Sequence, residues 1–275
     1  MTINCKGHLL DLSAPKVMGV LNLTPDSFYD GGKFKTDKAA LEQVERHIRE
    51  GMDILDIGAY SSRPGAEDIG VDEELRRQAS VLQQVTKAFP ELIISVDTFR
   101  SRVAKESLDQ GAHIINDISA GNLDEDMLDM IAEYQVPYIM MHMRGTPQTM
   151  KGLTAYDNLV EEVILYFSRR ISEARKKGIS DLIIDPGFGF AKNIAQNFEL
   201  LNHLKALKNL DLPILTGVSR KSMIYKSLSI EAKDALNGTT ALHMAALMNG
   251  SSILRVHDVL EAKQCVILYQ KLTEY

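Results

Sequence analysis

Cysteine is scarce in this sequence, with Cys5 and Cys265 the two examples among 275 residues. They form no C-x-x-C motif, so neither a disulfide framework nor a thiolate metal site is indicated. No apolar run approaches the roughly 18 residues of a membrane span. Residues 1–13 interrupt their apolar positions with Asn4 and Lys6, unlike a signal peptide. These absences predict a reduced, cytoplasmic setting and argue against a membrane protein.

Positive charge is also in deficit, since 31 Lys plus Arg face 37 Asp plus Glu and leave a net charge of −6. Such a chain has no overall attraction for nucleic acid, so an anionic ligand needs a local cluster of cations. With 45% hydrophobic and 25% charged residues, the chain is long enough to bury a sizeable core. No Pro/Ser-rich linker divides it. We expect a single domain over 1–275, with residues 1–15 as an N-terminal lead-in.

Short β-branched apolar runs alternate with segments of helical period along the whole chain. The predicted strands are Lys16–Leu23, Asp53–Gly58, Leu92–Asp97, His113–Ile118, Pro137–His142, Leu182–Asp185, Pro213–Gly217 and Ser252–His257. The predicted helices are Asp37–Glu50, Asp72–Ala88, Ser101–Gln110, Asp124–Tyr134, Asn158–Lys177, Gln196–Leu207, Lys233–Met248 and Asp258–Leu272. The rival is a doubly wound sheet, but no G-x-G-x-x-G follows the first strand.

Eight βα units predict an α/β fold, a single (β/α)8 TIM barrel with its active site at the carboxyl ends of the strands. The loops after strands one, two and five are long and rich in Gly, Pro, Ser or Thr: Thr24–Thr36, Ala59–Val71 and Met143–Tyr156. Long loops on one face of a barrel are where function concentrates.

Polar residues end nearly every predicted strand: Asn22, Asp56, Asp97, Asn116, His142, Asp185, Arg255 and His257, with Ser219-Arg220-Lys221 beyond the seventh strand. Any one of them is explained as a capping or loop-anchoring side chain. Together they predict a wet, ligand-lined mouth, because a buried strand end needs no carboxylate.

Asp97 and Asp185, with Asn116, predict a deep pocket of hydrogen-bond acceptors. A ring with amidine-like N–H donors fits them. A metal site or a general acid/base pair are the alternatives. A metal is less favoured there, because Asn116 and its apolar neighbours supply few hard oxygens.

Arg63, Arg255 and His257, with Lys221 nearby, form the local basic cluster that the acidic chain otherwise lacks. Guanidinium forks and an imidazole suit a phosphate or diphosphate, although Arg63 alone also fits a surface ion pair. Asn22 is a candidate oxygen ligand for Mg²⁺ held mostly by substrate phosphates. Lys221 at a strand end also leaves a Schiff-base role open.

Seven ordered blocks of the sequence resemble the dihydropteroate synthase family. They are GVLNLTPDSFYDGG (Gly19–Gly32), DILDIGAYSSRPGAE (Asp53–Glu67), ISVDTFRSRVAKESLDQGAHIINDISAG (Ile94–Gly121), MHMRGTPQTM (Met141–Met150), IIDPGFGFAKN (Ile183–Asn193), GVSRKSMI (Gly217–Ile224) and RVHDV (Arg255–Val259). The resemblance spans almost the full length and implies a (β/α)8 barrel. It also implies condensation of 6-hydroxymethyl-7,8-dihydropterin diphosphate with 4-aminobenzoate by dissociative substitution, a site for sulfonamides and a homodimer.

The resemblance also implies roles for individual residues. Pterin contacts are expected from Asp97, Asn116, Met140, Asp185, Phe188, Gly217, Lys221 and Arg255. Diphosphate contacts are expected from Asn22, Ser62, Arg63, Arg255 and His257, with Asn22 also on Mg²⁺. The 4-aminobenzoate pocket is expected from Phe28, Ser62, Arg63, Pro64, Phe190, Ser219 and Lys221. The residues assigned to catalysis are Asp97, Asp185 and Lys221.

Three positions depart from the family's pattern. Tyr60 stands in place of a glutamate and Ser62 in place of a threonine, which keeps the hydroxyl but changes the packing expected against sulfonamides. Ala191 stands where glycine is common, which predicts an ordinary φ there or a small adjustment of the loop.

Other functions fit parts of the same pattern. A methyltetrahydrofolate-binding barrel of corrinoid methyltransferases has a related pterin pocket, but Arg63, Arg255, His257 and Lys221 favour the synthase. A non-catalytic pterin-binding protein and a Schiff-base aldolase acting through Lys221 are the further alternatives.

Overall fold

Eight parallel strands form a closed barrel in the computed structural model, which describes residues 1–23, 32–61 and 69–274, without the side chains of 32–36. The barrel strands are β3 (Lys16–Asn22), β4 (Ile54–Gly58), β5 (Ile93–Asp97), β6 (Ile114–Asp117), β7 (Tyr138–Met141), β8 (Leu182–Asp185), β9 (Leu215–Thr216) and β10 (Ile253–Val256). Their order is β8-β7-β6-β5-β4-β3-β10-β9. The ring closes where the Ile184 amide donates to the Pro213 carbonyl at 3.0 Å. The predicted fold class is confirmed.

Helices pack around the barrel. They are α1 (Gly32–Arg49), α2 (Val71–Ala88), α3 (Ser101–Asp109), α4 (Met127–Tyr134), α5 (Leu159–Lys176), α6 (Ile194–Asn202), α7 (Ser222–Tyr225), α8 (Leu236–Met248) and α9 (Val259–Thr273). The predicted helix Gln196–Leu207 is wrong at its end, because α6 stops at Asn202 and a 3₁₀ turn covers Leu204–Leu210. The short α7 was not predicted. Among the helices described, none has the length and apolar character to cross a membrane.

Alternation along the strands divides their apolar side chains into two sets. One set, such as Leu55, Val96 and Ile115, points outward and packs against the helices in the main core. The other set fills the lower part of the barrel: Met18, Ile54, Ile114, Ile139, Ile183, Leu215 and Ile253. Strands buried on both faces read as continuous apolar runs, which is why the sequence reveals them.

An antiparallel hairpin of β1 (Thr2–Cys5) and β2 (His8–Asp11) closes the amino-terminal end of the barrel. Its side chains Ile3, Cys5 and Leu10 are buried against the lower barrel layer, with Leu12 just beyond. The sequence analysis predicted only a lead-in for this segment. The alternating apolar residues were the signal for a strand, but the run is short and lies next to a turn at Lys6–Gly7.

Two neighbouring leucines of β2 test the contribution of this hairpin. Leu10 is 5% exposed and Leu9 is 73% exposed. We expect Leu10→Ala to lower the free energy of unfolding by about 3 kcal/mol, since it leaves a cavity at the end of the barrel. Leu9→Ala should change it by less than about 0.5 kcal/mol. Equilibrium urea unfolding of both variants measures the difference, and equal losses would contradict the role of the hairpin.

Candidate active site

The inward-facing side chains become polar above the apolar layer of the barrel. Asp56, Asn116, Asp185 and Arg255 each lie two residues beyond an isoleucine of that layer. Residues two apart on a strand share a face, so these four side chains point into the barrel near its carboxyl end. Asp97, at the end of β5, is paired in register with Asn116. The predicted polar mouth is therefore present.

Arg255 binds two of the carboxylates at once. Its Nε donates to Oδ2 of Asp56 at 2.6 Å, and its Nη2 donates to Oδ2 of Asp97 at 2.8 Å. The Asn116 amide donates to the same Asp56 oxygen at 3.2 Å. The Asp56 side chain is fully buried, whereas 22% of the Arg255 side chain is exposed. A buried carboxylate without a counter-charge is strongly destabilising. The Arg255 guanidinium therefore offsets the cost of burying the charge of Asp56.

Burial changes the acidity of two of these carboxyl groups. It raises the pKa of Asp97 to about 7, and the Arg255 guanidinium acts in the opposite direction. Burial also raises the pKa of Asp185, which the Lys221 ammonium and the Gly187 N–H oppose. That N–H donates to Oδ1 of Asp185 at 2.8 Å. The neighbouring cations therefore decide whether these groups are carboxylates at neutral pH.

Lys221 extends its ammonium over the loop that follows β8. Nζ donates to the carbonyl of Phe188 and lies 5.1 Å from the centre of the Phe190 ring. Burial lowers the pKa of Lys221 to about 8, against the effect of Asp185. The group is therefore mainly an ammonium at neutral pH, a donor rather than the neutral amine that a Schiff base needs. A Cβ on Gly217 would lie 3.8 Å from Nζ, so glycine permits the close approach.

The loops after β9 and β10 are joined at the mouth. The Ser219 hydroxyl accepts from the His257 backbone N–H at 3.2 Å and lies 3.0 Å from its ring Nδ1. Beside them, Arg220 makes two 2.8 Å bonds to the carboxylate of Asp258. The side chain of His257 is exposed and follows Arg255 by two residues. The two loops thus bring an imidazole to the side of the mouth where Arg255 lies.

Asn22 lies at the rim beside Asp97. The register pairs Asn22 with Gly58 and Gly58 with Asp97. A Cβ built on Gly58 would be 3.8 Å from Oδ1 of Asn22 and 3.5 Å from Cβ of Asp97. The glycine therefore leaves space between the amide oxygen and the carboxylate.

Two predicted pterin contacts are wrong as side-chain contacts. Met140 packs in the outward-facing core, whereas Met141 pairs in register with Asp185. A shift of one residue along a strand reverses the face, and the run Met140-Met141-His142-Met143 has no alternation that would reveal it. The ring of Phe188 is buried in the same outer core, so this residue meets the site through its carbonyl.

The other described site residues meet at the carboxyl end of the barrel: Asn22, Asp97, Asn116, Asp185, Phe190, Gly217, Ser219, Lys221, Arg255 and His257. Their individual roles stay predictions. Phe28, Ser62, Arg63 and Pro64 lie outside the described residues, as does most of the first two long loops. The sequence analysis noted Asp56 only as a polar strand end and missed its pairing with Arg255. It also missed Lys192, which lies seven residues beyond the end of β8.

Two departures from the family's pattern have structural consequences. Tyr60 accepts a 3.1 Å hydrogen bond from the Gln148 amide, and its ring packs edge-on against Phe99 at 5.0 Å. Tyr60 therefore connects the loops after β4, β5 and β7. Ala191 has φ +47°, so of the two predicted alternatives the ordinary φ is wrong. A left-handed alanine costs roughly 1–2 kcal/mol. The buried Ala191 belongs to the small apolar cluster that also contains Met141.

Comparison with known proteins agrees with this geometry. The model of the family described as pterin binding enzyme matches residues 18–257. The dihydropteroate synthase of Escherichia coli K12 is 42% identical over 268 residues, 97% of this chain and 94% of that protein. The Yersinia pestis dihydropteroate synthase in complex with a sulfonamide drug superimposes with a TM-score of 0.94 at 38% identity, covering 100% of both chains. The Xanthomonas albilineans dihydropteroate synthase with 4-aminobenzoic acid gives 0.93 at 39% identity, covering 100% of this chain and 98% of that one. The chain belongs to the pterin-binding enzymes and, among them, to the dihydropteroate synthase family, whose members are transferases of folate synthesis.

Proposed function

We propose that this protein condenses 6-hydroxymethyl-7,8-dihydropterin diphosphate with 4-aminobenzoate, giving 7,8-dihydropteroate and pyrophosphate. The observation that carries this proposal is the buried cluster in which Arg255 binds Asp56 and Asp97. The carboxylates of this cluster suit the N–H donors of a pterin, and the guanidinium suits a diphosphate at the mouth. Membership of the dihydropteroate synthase family supports the same reaction.

The base of the site recognises the pterin. The amino group and ring N–H of a pterin form a donor pair, which suits carboxylate and amide oxygens. We assign Asp97, Asn116 and Asp185 to these donors. Lys221 donates to acceptor atoms of the same ring. The apolar layer beneath excludes water and strengthens each of these contacts.

The mouth binds the diphosphate. Arg255 supplies positive charge from β10, and His257, one residue beyond β10, supplies an imidazole. We assign Ser62 and Arg63 to the same group. Within the ranges that the structure covers, no three His, Cys, Asp or Glu side chains are grouped to hold a metal ion. The rim oxygen of Asn22 fits Mg²⁺ held mainly by phosphate oxygens and water. Bound there, Mg²⁺ would neutralise charge on the leaving diphosphate.

The chemical step is a substitution at the pterin methylene carbon. The bond from this carbon to the diphosphate oxygen breaks first, and its electron pair leaves with pyrophosphate. The carboxylates of Asp97 and Asp185 stabilise the cationic pterin that results. The neutral amine of 4-aminobenzoate then bonds to the methylene carbon and releases a proton to water. The enzyme forms no covalent bond to either substrate.

The second substrate binds beside Phe190. The ring of 4-aminobenzoate stacks against Phe190. The Lys221 ammonium, which lies over the Phe190 ring, attracts the electron-rich face of an aromatic ring. Ser219, Phe28, Ser62, Arg63 and Pro64 complete the proposed pocket. Sulfonamides resemble 4-aminobenzoate and compete for the same space. The Yersinia pestis relative with a sulfonamide drug and the Xanthomonas albilineans relative with 4-aminobenzoic acid support this placement.

An end-point assay tests the proposed reaction. With Mg²⁺, the dihydropterin diphosphate and 4-aminobenzoate, we expect pyrophosphate and dihydropteroate in equal amounts, the latter detected by mass. Folded protein that binds the pterin but forms neither product would contradict the synthase. Methyltetrahydrofolate with a corrinoid partner would then distinguish a methyltransferase from a non-catalytic pterin-binding protein.

The charge of Asp97 is tested by Asp97→Asn. The amide keeps the shape and an acceptor oxygen but no longer stabilises a cationic pterin, so we expect kcat to fall about 100-fold, as when one preorganised stabilising group is lost. Asp129→Asn, on the exposed side of α4, is the matched control and should keep full activity. Turnover of the Asp97 variant at the normal rate, with pterin bound, would refute the electrostatic role.

We also propose that the protein is a cytoplasmic homodimer. Cys5 and Cys265 are both free thiols, as suits a reducing compartment. The adjacent helices α8 and α9 leave large apolar side chains exposed, with Met248 at 59%, Leu268 at 59% and Leu272 at 65%. Neighbouring exposed apolar residues mark interaction surfaces, and a second copy of the chain is the partner that we assign.

Sedimentation velocity tests the homodimer. We expect the unmodified chain to sediment as a dimer and Leu268→Arg to sediment as a monomer, because a guanidinium in an apolar interface has no partner. Leu9→Arg, on the exposed side of β2, is the control and should remain dimeric. A monomeric unmodified chain would refute this proposal.

A further inference from the structure

Lys192 is a buried lysine that the proposed reaction does not use. It is 7% exposed and lies behind the loop that follows β8. Burial lowers the pKa of Lys192 to about 7, while the nearby Asp185 acts to raise it. Removing an ammonium from water is costly unless its donors are satisfied, so its surroundings indicate what it does.

Three acceptors surround the three N–H donors of Lys192. Nζ lies 3.0 Å from the carbonyl oxygen of Gly187, 3.1 Å from that of Phe190 and 2.9 Å from Nδ1 of His142. As an ammonium, Lys192 has no lone pair, so in that state the imidazole Nδ1 accepts and the ring proton lies on Nε2. Burial and the Lys192 charge lower the pKa of His142 well below its usual range, which keeps this imidazole neutral. Lys192 therefore fixes both ends of the turn from Gly187 to Phe190.

The same turn is seated against the backbone of His142. Gly187 has φ +70°, and a Cβ there would lie 2.1 Å from the His142 carbonyl oxygen, so no larger residue fits. The His142 amide donates to the Asp185 carbonyl at 2.9 Å. On the far side, the Asn197 side chain accepts from Gly189 at 2.7 Å and donates to the Lys192 carbonyl at 3.3 Å. The turn is thus held from behind at several points.

The front of this turn is part of the active site. The carbonyl of Phe188 accepts from Lys221, and the Phe190 ring lies beneath the Lys221 ammonium. Two lysines therefore hold one short turn, Lys221 from the ligand side and Lys192 from the protein side. Displacing the turn would move the Phe190 ring and the Lys221 ammonium together.

We propose that Lys192 is a positioning residue, which fixes the turn from Gly187 to Phe190 and thereby sets the place of Phe190 and Lys221 in the 4-aminobenzoate pocket. This inference rests on the proposed function for the identity of the ligand. Lys192 itself does not touch substrate, because the turn lies between them.

A double-mutant cycle tests this role through the KM for 4-aminobenzoate. We expect Lys192→Met to raise that KM about 10-fold, since small misplacements of binding groups have effects of this size or larger. Phe190→Ala should have a similar effect. The double variant should be no worse than Phe190→Ala alone, because Lys192 acts through that ring. Lys205→Met, which removes an exposed lysine, should leave KM unchanged.

Other outcomes overturn the proposal. A folded Lys192→Met variant with KM within twofold of the unmodified protein would do so, as would effects that multiply in the double variant. A merely structural role predicts a lower kcat from a reduced folded fraction at unchanged KM. If Lys192→Met fails to fold, Lys192→Gln retains two N–H donors and takes its place in the cycle. Failure of both variants to fold would assign Lys192 to the fold alone.

The activity of the unmodified chain distinguishes failure of the proposed function from failure of the positioning role. If that chain forms no dihydropteroate, the proposed reaction is wrong whatever the variants do. The dissociation constant of 7,8-dihydropteroate, measured by calorimetry, then replaces KM in the same cycle. Equal affinity of the unmodified chain and folded Lys192→Met would overturn the positioning role on its own.

Discussion

The guanidinium of Arg255 is the charge on which the interior of the barrel depends. Asp56 is buried on the second barrel strand and Asp97 ends the third, and Arg255 on the last strand binds both. Each carboxylate alone would be too costly to bury. The pair of ionic contacts uses two of the five N–H donors of arginine. The remaining donors and the exposed part of the side chain are what a ligand at the mouth can use, so one residue both supports the pocket and faces its contents.

The loop after β8 illustrates how a binding surface is made rigid without a regular element. It contains glycines at 187 and 189 with positive φ, which would leave an isolated loop flexible. Here Asp185 accepts from its first amide, Lys221 binds it in front and Lys192 binds it behind. Side chains therefore supply the order that a helix or strand supplies elsewhere. Sites held in this way keep the preorganisation on which electrostatic stabilisation relies.

Much of the architecture was readable from the sequence, because parallel strands buried on both faces give continuous apolar runs. The polar residues that end those runs located the mouth of the barrel.

The features that the sequence did not predict also have physical reasons. Met140 and Met141 differ only in the face they occupy, and an apolar run carries no signal for that choice. The partner of Arg255 across the barrel depends on which strands are neighbours in the ring. Lys192 lies in a loop, where the sequence has no helical or strand periodicity that would indicate that its side chain is buried. The β1–β2 hairpin was missed because its strands are four residues each.

The closure of the ring also has a consequence for synthesis of the chain on the ribosome. The first barrel strand, β3, pairs on one side with β10, and β10 is the last of the eight barrel strands to be made. Before β10 leaves the exit tunnel, β3 has an unpaired edge and the acidic side chains of β4 and β5 have no guanidinium beside them. The nascent chain therefore cannot pair its buried carboxylates until β10 has been made. Products that terminate before residue 253 expose both the unpaired edge of β3 and carboxylates without a counter-charge. Such fragments are expected to be substrates for chaperones and proteases rather than partly active enzymes.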